Sequence, residues 1–289
     1  MSRQKIVDYY KKNWPYFIKL WQVDKTHCIH YGYYEKGIRT HVEAVLNMND
    51  YIEQLLELDL KSKETKYILD AGCGIGGTVV HLAKKYLNIK FIGITIVPEH
   101  IQMAKEFAKE NHTNSNTDFL LIDYLSTRFN SAYFDAIFSI ESINYTSQTR
   151  GFINEMNRIL KTNGKLVIID AFRTNVPLNP FLNTIYRWYC KGREFPSIVK
   201  LNEFKSFLKD EEFGNIVDIN LKRNVLPSVI RGNMVSIPYL FLTTMKKFIQ
   251  GKKYHSSKDS CFPTAVSIFS TMIGMKKGVT YNAVKAIKK

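Results

Sequence analysis

The residues of this chain that invite a chemical reading lie at the ends of short apolar runs. Asp70-Ala71-Gly72-Cys73-Gly74-Ile75-Gly76-Gly77 follows Lys66 to Leu69 and precedes a helical pattern. Glycines between a strand and a helix let the backbone turn sharply and approach a ligand closely. Asp123 follows Phe119-Leu120-Leu121-Ile122, and Glu141 follows Phe134 to Ile140. Carboxylates in such places can accept hydrogen bonds from a ligand or take its proton. Gly72, Gly74 and Gly77 also fit the G-x-G-x-x-G pattern of dinucleotide sites. That reading needs an acid about 20 residues further on, at the end of the second strand, to hold a ribose. Gly93-Ile94-Thr95-Ile96 occupies that place and carries no carboxylate. Cys28, Cys73, Cys190 and Cys261 are scattered, with no C-x-x-C pair and no histidine at zinc-finger spacing. Neither a disulfide framework nor a metal site is expected.

The elements that must position these residues follow from periodicity. Apolar runs at 66–71, 91–94, 119–122, 134–139 and 165–170 alternate with helical patterns at 78–86, 98–111 and 148–160. Pro98 suits the first turn of its helix. Such alternation predicts a mostly parallel sheet covered on both faces, with a ligand at the strand ends. Upstream, 3–21 reads as an aromatic-rich helix and 40–59 as a second helix. After 171 the rhythm breaks. Residues 174–199, with Pro177, Pro180 and Pro196, read as an insertion, 201–210 as a helix and 215–223 as a strand. An amphipathic helical insertion follows at 225–250, and a last strand at about 278–287 is expected to pair antiparallel beside strand five or six. The expected organisation is a helical cap over 1–60, a ligand-binding core over 61–172, and the remaining sheet over 173–289 with cap insertions at about 174–199 and 225–260.

With 289 residues and 45% hydrophobic content, one elaborated domain is expected. The net charge of +15 suits an anionic partner, whether nucleic acid, lipid surface or phosphorylated substrate. The abundance of Lys, Asn, Ile, Tyr and Phe equally suits an AT-rich genome. Met1 to Lys5 leads into a mixed helix, so no secretory signal is expected. The apolar stretch from Val235 to Met245 is too short to span a bilayer and contains Pro238. A cytoplasmic protein is expected. Residues 225–248, punctuated by Arg223, Arg231, Lys246, Lys247, Lys252 and Lys253, fit a lid helix on the sheet or a helix lying on a membrane.

Several stretches together carry a resemblance. The loop Asp70 to Gly77 resembles motif I of the class I S-adenosylmethionine-dependent methyltransferases. Gly93-Ile94-Thr95-Ile96-Val97-Pro98-Glu99-His100-Ile101-Gln102, Phe138-Ser139-Ile140-Glu141-Ser142 and Arg158 to Leu166 are similar to the branch holding tocopherol, sterol and phosphobase methyltransferases. His30-Tyr31-Gly32-Tyr33 resembles that branch's H-x-G-Y/W loop. The resemblance implies a Rossmann-like class I fold with a seven-stranded sheet, and S-adenosylmethionine as cofactor. It places Asp70 near the methionine end, with Gly72, Gly74 and Gly76 in the loop. Thr95, Ile96, His100, Ile122, Asp123 and Ile140 are the further cofactor positions, Asp123 at the adenine amino group. His100 stands where the branch has Gln, Tyr145 where relatives often have His, and Asn163 where a turn has Gly.

Methyl transfer to a sulfonium-bound carbon's acceptor needs alignment and exclusion of water, and no covalent nucleophile. An amine acceptor needs only its lone pair. A phenol or enol needs a base, for which Glu141, His30 and Tyr145 are the candidates, and an alkene gives a carbocation that aromatic faces stabilise. Tyr31, Tyr33, Tyr34, Phe172, Phe181, Tyr186 and Trp188 are the aromatics expected around the acceptor. A small, largely apolar acceptor, with C-methylation of an isoprenoid, sterol-like molecule or prenylated ring, is preferred over N-methylation of an amine. A fold relative that binds the cofactor without transferring methyl stays open. Nucleic acid is not expected as partner, because no RNA-binding module and no Asn/Asp-Pro-Pro-Tyr/Phe motif accompanies the charge. His27, His41, His81, His112 and His255 are expected in solvent or on helix faces.

Overall fold

A computed structural model describes residues 3–60, 64–250 and 278–289. The expectations for Lys252, Lys253, His255 and Cys261 lie outside the described residues. In chain order come α1 (Arg3–Trp21), α2 (Val23–Thr26), α3 (His41–Leu56), β1 (Lys66–Ala71), α4 (Gly77–Ala83), β2 (Ile89–Thr95), α5 (Pro98–Glu110), β3 (Thr117–Leu121) and β4 (Phe134–Ile140). A single 3-10 turn (Ile143–Tyr145) leads to α6 (Thr149–Ile159), β5 (Leu160–Arg173), α7 (Pro180–Arg193), α8 (Leu201–Asp210), β6 (Phe213–Asn220), α9 (Lys222–Gln250) and β7 (Val279–Lys288).

Among the described residues, seven strands form one sheet in the order β3-β2-β1-β4-β5-β7-β6. The pairs among β1 to β5 are parallel, and β7 lies antiparallel between β5 and β6. Alternation along β1 shows how the sheet is sandwiched. Ile68 packs with α1, α3 and α4 on one face, while Leu69 and Ala71 pack with α6 and α8 on the other. Both faces being covered, the inner strands read as continuous apolar runs. Strand β5 begins earlier than its apolar run, because Asn163 takes the left-handed conformation (φ 62°) and carries the chain from Leu160 into Lys165. Asn tolerates that region better than most residues.

The order has one consequence for function. From β1 the chain first builds outward through β2 and β3, then returns to β4 on the other side of β1. Where the winding reverses, the loops leaving adjacent strands part and open a crevice at their carboxyl ends. The glycine loop after β1 and Glu141 after β4 therefore face each other.

The helices before β1 close over this crevice. Thr40 caps α3 through a reciprocal pair with Glu43. Arg3 Nε donates to the Ile96 carbonyl at 3.2 Å, tying α1 across the mouth. Helix α9 backs α1, where Tyr16 and Ser236 share a hydrogen bond at 2.5 Å and Arg231 donates to the carbonyls of Lys19 and Leu20. Among the described residues no helix is long and apolar enough to cross a membrane.

Candidate active site

A partly open cavity occupies the crevice. Its floor is the glycine loop, held down by Gly72 and Cys73, whose N–H groups donate to the Ile94 carbonyl at 3.0 and 2.9 Å. Gly72 has φ +110°, and a Cβ there would stand 2.0 Å from Ser142 Oγ, so the loop is pressed against the chain that follows β4. Gly74 has φ +51°, and a Cβ there would meet nothing within 4 Å. Its backbone borders open space in the cavity, which leaves room for a ligand to lie directly on the peptide. Gly76 does not line the cavity; it precedes α4 and packs on Ala104 and Phe119.

Asp70 ends β1 at the cavity wall and is 4% exposed. None of the described residues donates to its carboxylate, and burial pushes its pKa well above the usual carboxylate range. A buried carboxylate without counter-charge is costly. An ammonium placed in the cavity would supply that charge, so the site fits an aminoacyl ligand. Thr95 turns the chain by accepting from the Val97 N–H at 3.3 Å, and Ile96, Ile122 and Ile140 line the walls. His100 on α5 is 3% exposed, and burial lowers its pKa to about 4, so its ring is neutral. Its Nε2 has no partner, and the ring sits 4.7 Å from that of Tyr10. Asp123 does not line the cavity. Its Oδ1 accepts from the Leu125 N–H at 2.9 Å and shapes the turn, so Ile122 and Tyr124 face the space on either side of it.

Glu141 is held in the left-handed region at φ +50°. For a side chain larger than Gly this costs on the order of 1 kcal/mol, and such strain concentrates at functional sites. Its Oε1 accepts from the Tyr31 main-chain N–H at 2.7 Å and from the Tyr281 hydroxyl at 2.8 Å. Among the described residues none donates to Oε2. Burial raises the Glu141 pKa, and the charge of Arg193 draws it partly back.

The other two candidate bases stand differently. His30 lies at the cavity wall with Nδ1 3.0 Å from the Tyr31 carbonyl and Nε2 3.2 Å from Asn49 Oδ1, and as a neutral imidazole it donates to one of the two. Burial lowers its pKa. Its ring packs between Asn49 and the loop that carries Tyr31. Tyr145 is partly buried and bonded to the Tyr10 hydroxyl, and burial raises its phenol well above the usual range. It remains a protonated donor.

Beyond Glu141 lies a second, narrow space, sharing Tyr10, Ile29, Glu141 and Tyr145 with the crevice. Its remaining walls are Tyr9, Phe17 and Trp21 of α1, with Arg193 and Phe195. Behind it, Asp170 is buried, accepting from the Ile143 N–H at 3.1 Å and from Asn144 Nδ2 at 2.7 Å. It thereby fixes the turn that carries Tyr145. Burial, reinforced by the nearby Glu141 carboxylate, raises its pKa to about 7.

Two sets of expectations need correcting. Most of the aromatics expected around the acceptor lie elsewhere. Phe172 is in the core against Phe204, Tyr33 stacks on Tyr51, Tyr34 and Tyr186 lie outside both spaces, and Phe181 and Trp188 are 64% and 46% exposed. Tyr31 borders the chamber only through Arg193 and Glu141. The chamber's aromatics come instead from α1, joined by Tyr145 and Phe195. His27 and His41 are not solvated surface residues. His27 lines the cavity with its ring stacked 3.6 Å from that of Phe107, and His41 is buried beside Trp21, its pKa lowered by burial to about 4. His81 pairs with Asp50 at 2.7 Å, and His112 is exposed. Sequence reasoning also missed Ile6, Tyr10, Cys28 and Ser142 as cavity residues, and Arg193 as a buried charge. The aromatic spacing of α1 was a signal for a buried face, whereas nothing adjacent to Arg193 marks it.

Comparison with known proteins agrees with this geometry. Residues 62–213 match a family described as "Methyltransferase domain", just over half of the chain. Ajmaline N-methyltransferase of Rauvolfia serpentina is 30% identical over 216 residues, 68% of this chain and 72% of its own length. The chloroplastic tocopherol O-methyltransferase of Arabidopsis thaliana is 25% identical over 224 residues, 72% of this chain and 63% of its own length. The chain thus spans about two thirds of the length of these curated relatives. Among solved structures, the cyclase SpnF shares the fold with a TM-score of 0.77 at 18% identity, over 99% of this chain and 96% of its own. A glycine loop on the reversal point of the sheet, an unpaired buried carboxylate and these relatives converge: the chain belongs to the S-adenosylmethionine-dependent small-molecule methyltransferases.

Proposed function

We propose that the crevice binds S-adenosylmethionine and that the chain transfers its methyl group to a small, largely apolar acceptor in the aromatic chamber. An isoprenoid, a sterol-like molecule or a prenylated ring, methylated on carbon, is the preferred class. The observation that carries this reading is the junction of the two spaces at Glu141, Tyr10 and Tyr145. When bound, the cofactor supplies a methyl group already activated as a sulfonium substituent. Asp70 holds the amino group of its aminoacyl part, and the backbone at Gly74 carries that part without obstruction. His100, neutral, offers Nε2 to a hydroxyl.

The chain's own contribution to the reaction is alignment, exclusion of water and proton removal. Helix α1 closes the mouth through Ile6 and Tyr10. As the new carbon–carbon bond forms, the acceptor carbon loses a proton, which Glu141 takes on Oε2. A carboxylate with a raised pKa suits that role, because its affinity for the proton lies nearer neutrality. The faces of Tyr9, Phe17 and Trp21 suit any positive charge that develops on the acceptor. A second reading, methylation of an amine, is favoured by the ajmaline N-methyltransferase relative; the proton released would then come from nitrogen. Incubation with methyl-labelled cofactor, lipid extracts and a panel of amines separates the two. Label is expected in organic-soluble products, and label confined to water-soluble amines would overturn the preference.

Peripheral contact with an anionic bilayer is part of the same reading. Leu226, Ile230, Met234, Ile237, Phe241, Met245 and Phe248 are exposed at three- and four-residue spacing along α9, and the chain carries +15. Co-sedimentation with phosphatidylglycerol vesicles is expected, weakened by salt and by Phe241→Ser. Equal recovery in the supernatant with and without vesicles would contradict it.

A further inference from the structure

The chamber holds a charge that methyl transfer to a hydrocarbon leaves without a role. Arg193, the last residue of α7, is 8% exposed and lines the chamber wall. An arginine side chain stays protonated in any protein, and burying a cation without an ion-pair partner is expensive. Its guanidinium stacks on the rings of Tyr31 and Tyr189 at 5.6 and 5.0 Å, and Nη2 is anchored on the Tyr31 hydroxyl at 2.7 Å. Nε is buried with no partner. Among the described residues no carboxylate makes an ion pair with this group. Glu141 shares the chamber wall, yet its Oε1 is already committed to the Tyr31 N–H and the Tyr281 hydroxyl. One anchored nitrogen, one vacant donor and a permanent charge beside an apolar space make a receptor for a single oxygen that carries negative charge.

We propose that Arg193 donates through Nε to a phenol or enol oxygen of the acceptor. The acceptor is thus a hydroxylated ring or its enol equivalent, in place of a plain alkene or an amine. This inference rests on the methyl-transfer reading above and specifies its acceptor. The cation favours the ionised form of that oxygen, and it repels an ammonium entering the same chamber. The apolar remainder of the acceptor lies against Tyr9, Phe17 and Trp21, while its oxygen is fixed relative to Glu141 through Tyr31, which bonds both groups. Arg193 is in these terms a specificity-determining residue.

Three probes differing at one position test it: 4-geranylphenol, geranylbenzene and geranylamine, each titrated by quenching of intrinsic tryptophan fluorescence with S-adenosylhomocysteine present. The wild-type protein is expected to bind the phenol at least tenfold more tightly than either of the others. Arg193→Met is expected to reduce that preference below threefold, with S-adenosylhomocysteine affinity within threefold of wild type. Arg193→Lys, which keeps the charge, serves if the Met variant does not fold, and the wild-type comparison needs no variant. Equal binding of the three probes, binding of none, or a preference that survives in Arg193→Met overturns the assignment while leaving cofactor binding intact. Failure of wild-type protein to bind S-adenosylhomocysteine strikes the cofactor reading itself, and this inference with it.

Discussion

The main-chain N–H of Tyr31 donates to Glu141 Oε1 at 2.7 Å across 110 residues of sequence. This bond fixes the loop before α3 to the end of β4 at the wall shared by the two spaces. With the Tyr281 hydroxyl on the same oxygen at 2.8 Å, it occupies Oε1 and leaves Oε2 for an acceptor. The strained backbone of Glu141 is thus held by groups from both ends of the chain.

Replacing Glu141 by Gln tests what Oε2 does. The amide oxygen can still accept from Tyr31 and Tyr281, so folding is expected to be preserved. Loss of a positioned base lowers turnover by roughly 10²- to 10⁴-fold. Steady-state kinetics on a methylated acceptor should show that loss in kcat, with S-adenosylhomocysteine affinity within about threefold of wild type. A kcat lowered less than tenfold would remove Glu141 as the proton acceptor.

Two glycines of one loop are expected to respond in opposite ways. A Cβ at Gly72 meets Ser142 Oγ at 2.0 Å on a backbone at φ +110°, so Gly72→Ala combines overpacking with strain. Its cost should reach roughly 2–4 kcal/mol of stability. A Cβ at Gly74 meets nothing, so Gly74→Ala should cost only about 1–2 kcal/mol through its left-handed backbone. Its methyl enters the space assigned to the ligand, and affinity should fall about tenfold or more. Denaturant melts and calorimetric titration of both variants check this; a Gly74→Ala variant with wild-type affinity would move the ligand off the loop.

Asp170 makes stability depend on pH in a defined direction. Its folded-state pKa is raised to about 7 by burial and by Glu141, against an ordinary value near 3.9 in the unfolded chain. Its neutral form therefore contributes stability that is fully present below about pH 4 and is lost as pH rises through about 7. Asp170→Asn removes that titration. The stability of the variant relative to wild type is expected to increase from pH 4 to pH 7, measured by urea unfolding at fixed ionic strength. A difference that stays flat over that window would contradict the assignment.

How much of this was legible in the sequence varies by element. The parallel strands were, because an inner strand must be apolar on both sides, and β1, β2 and β4 are short runs bounded by turns. The glycine loop and Glu141 were legible because they sit directly at strand ends, so placing the strand places the residue. Tyr10 and Arg193 were not. Each reaches the site from a helix remote in sequence, and their positions depend on how α1 and α7 dock, which periodicity does not encode. At Asp123 the structure adds a role that the sequence does not show. Its strand was placed correctly, and the turn after β3 uses one carboxylate oxygen to accept from Leu125, with the neighbours Ile122 and Tyr124 lining the space.

The reading depends most on the buried carboxylate of Asp70 beside an open crevice. Calorimetric titration of S-adenosylmethionine into wild-type protein and Asp70→Asn addresses it directly. Loss of one partner of a desolvated charge pair should weaken binding roughly 30- to 1,000-fold, while the ligand-free variant melts at the wild-type temperature or above, because a buried carboxyl that no described residue donates to has gone. Affinity within twofold of wild type would contradict it, and would place the aminoacyl group elsewhere.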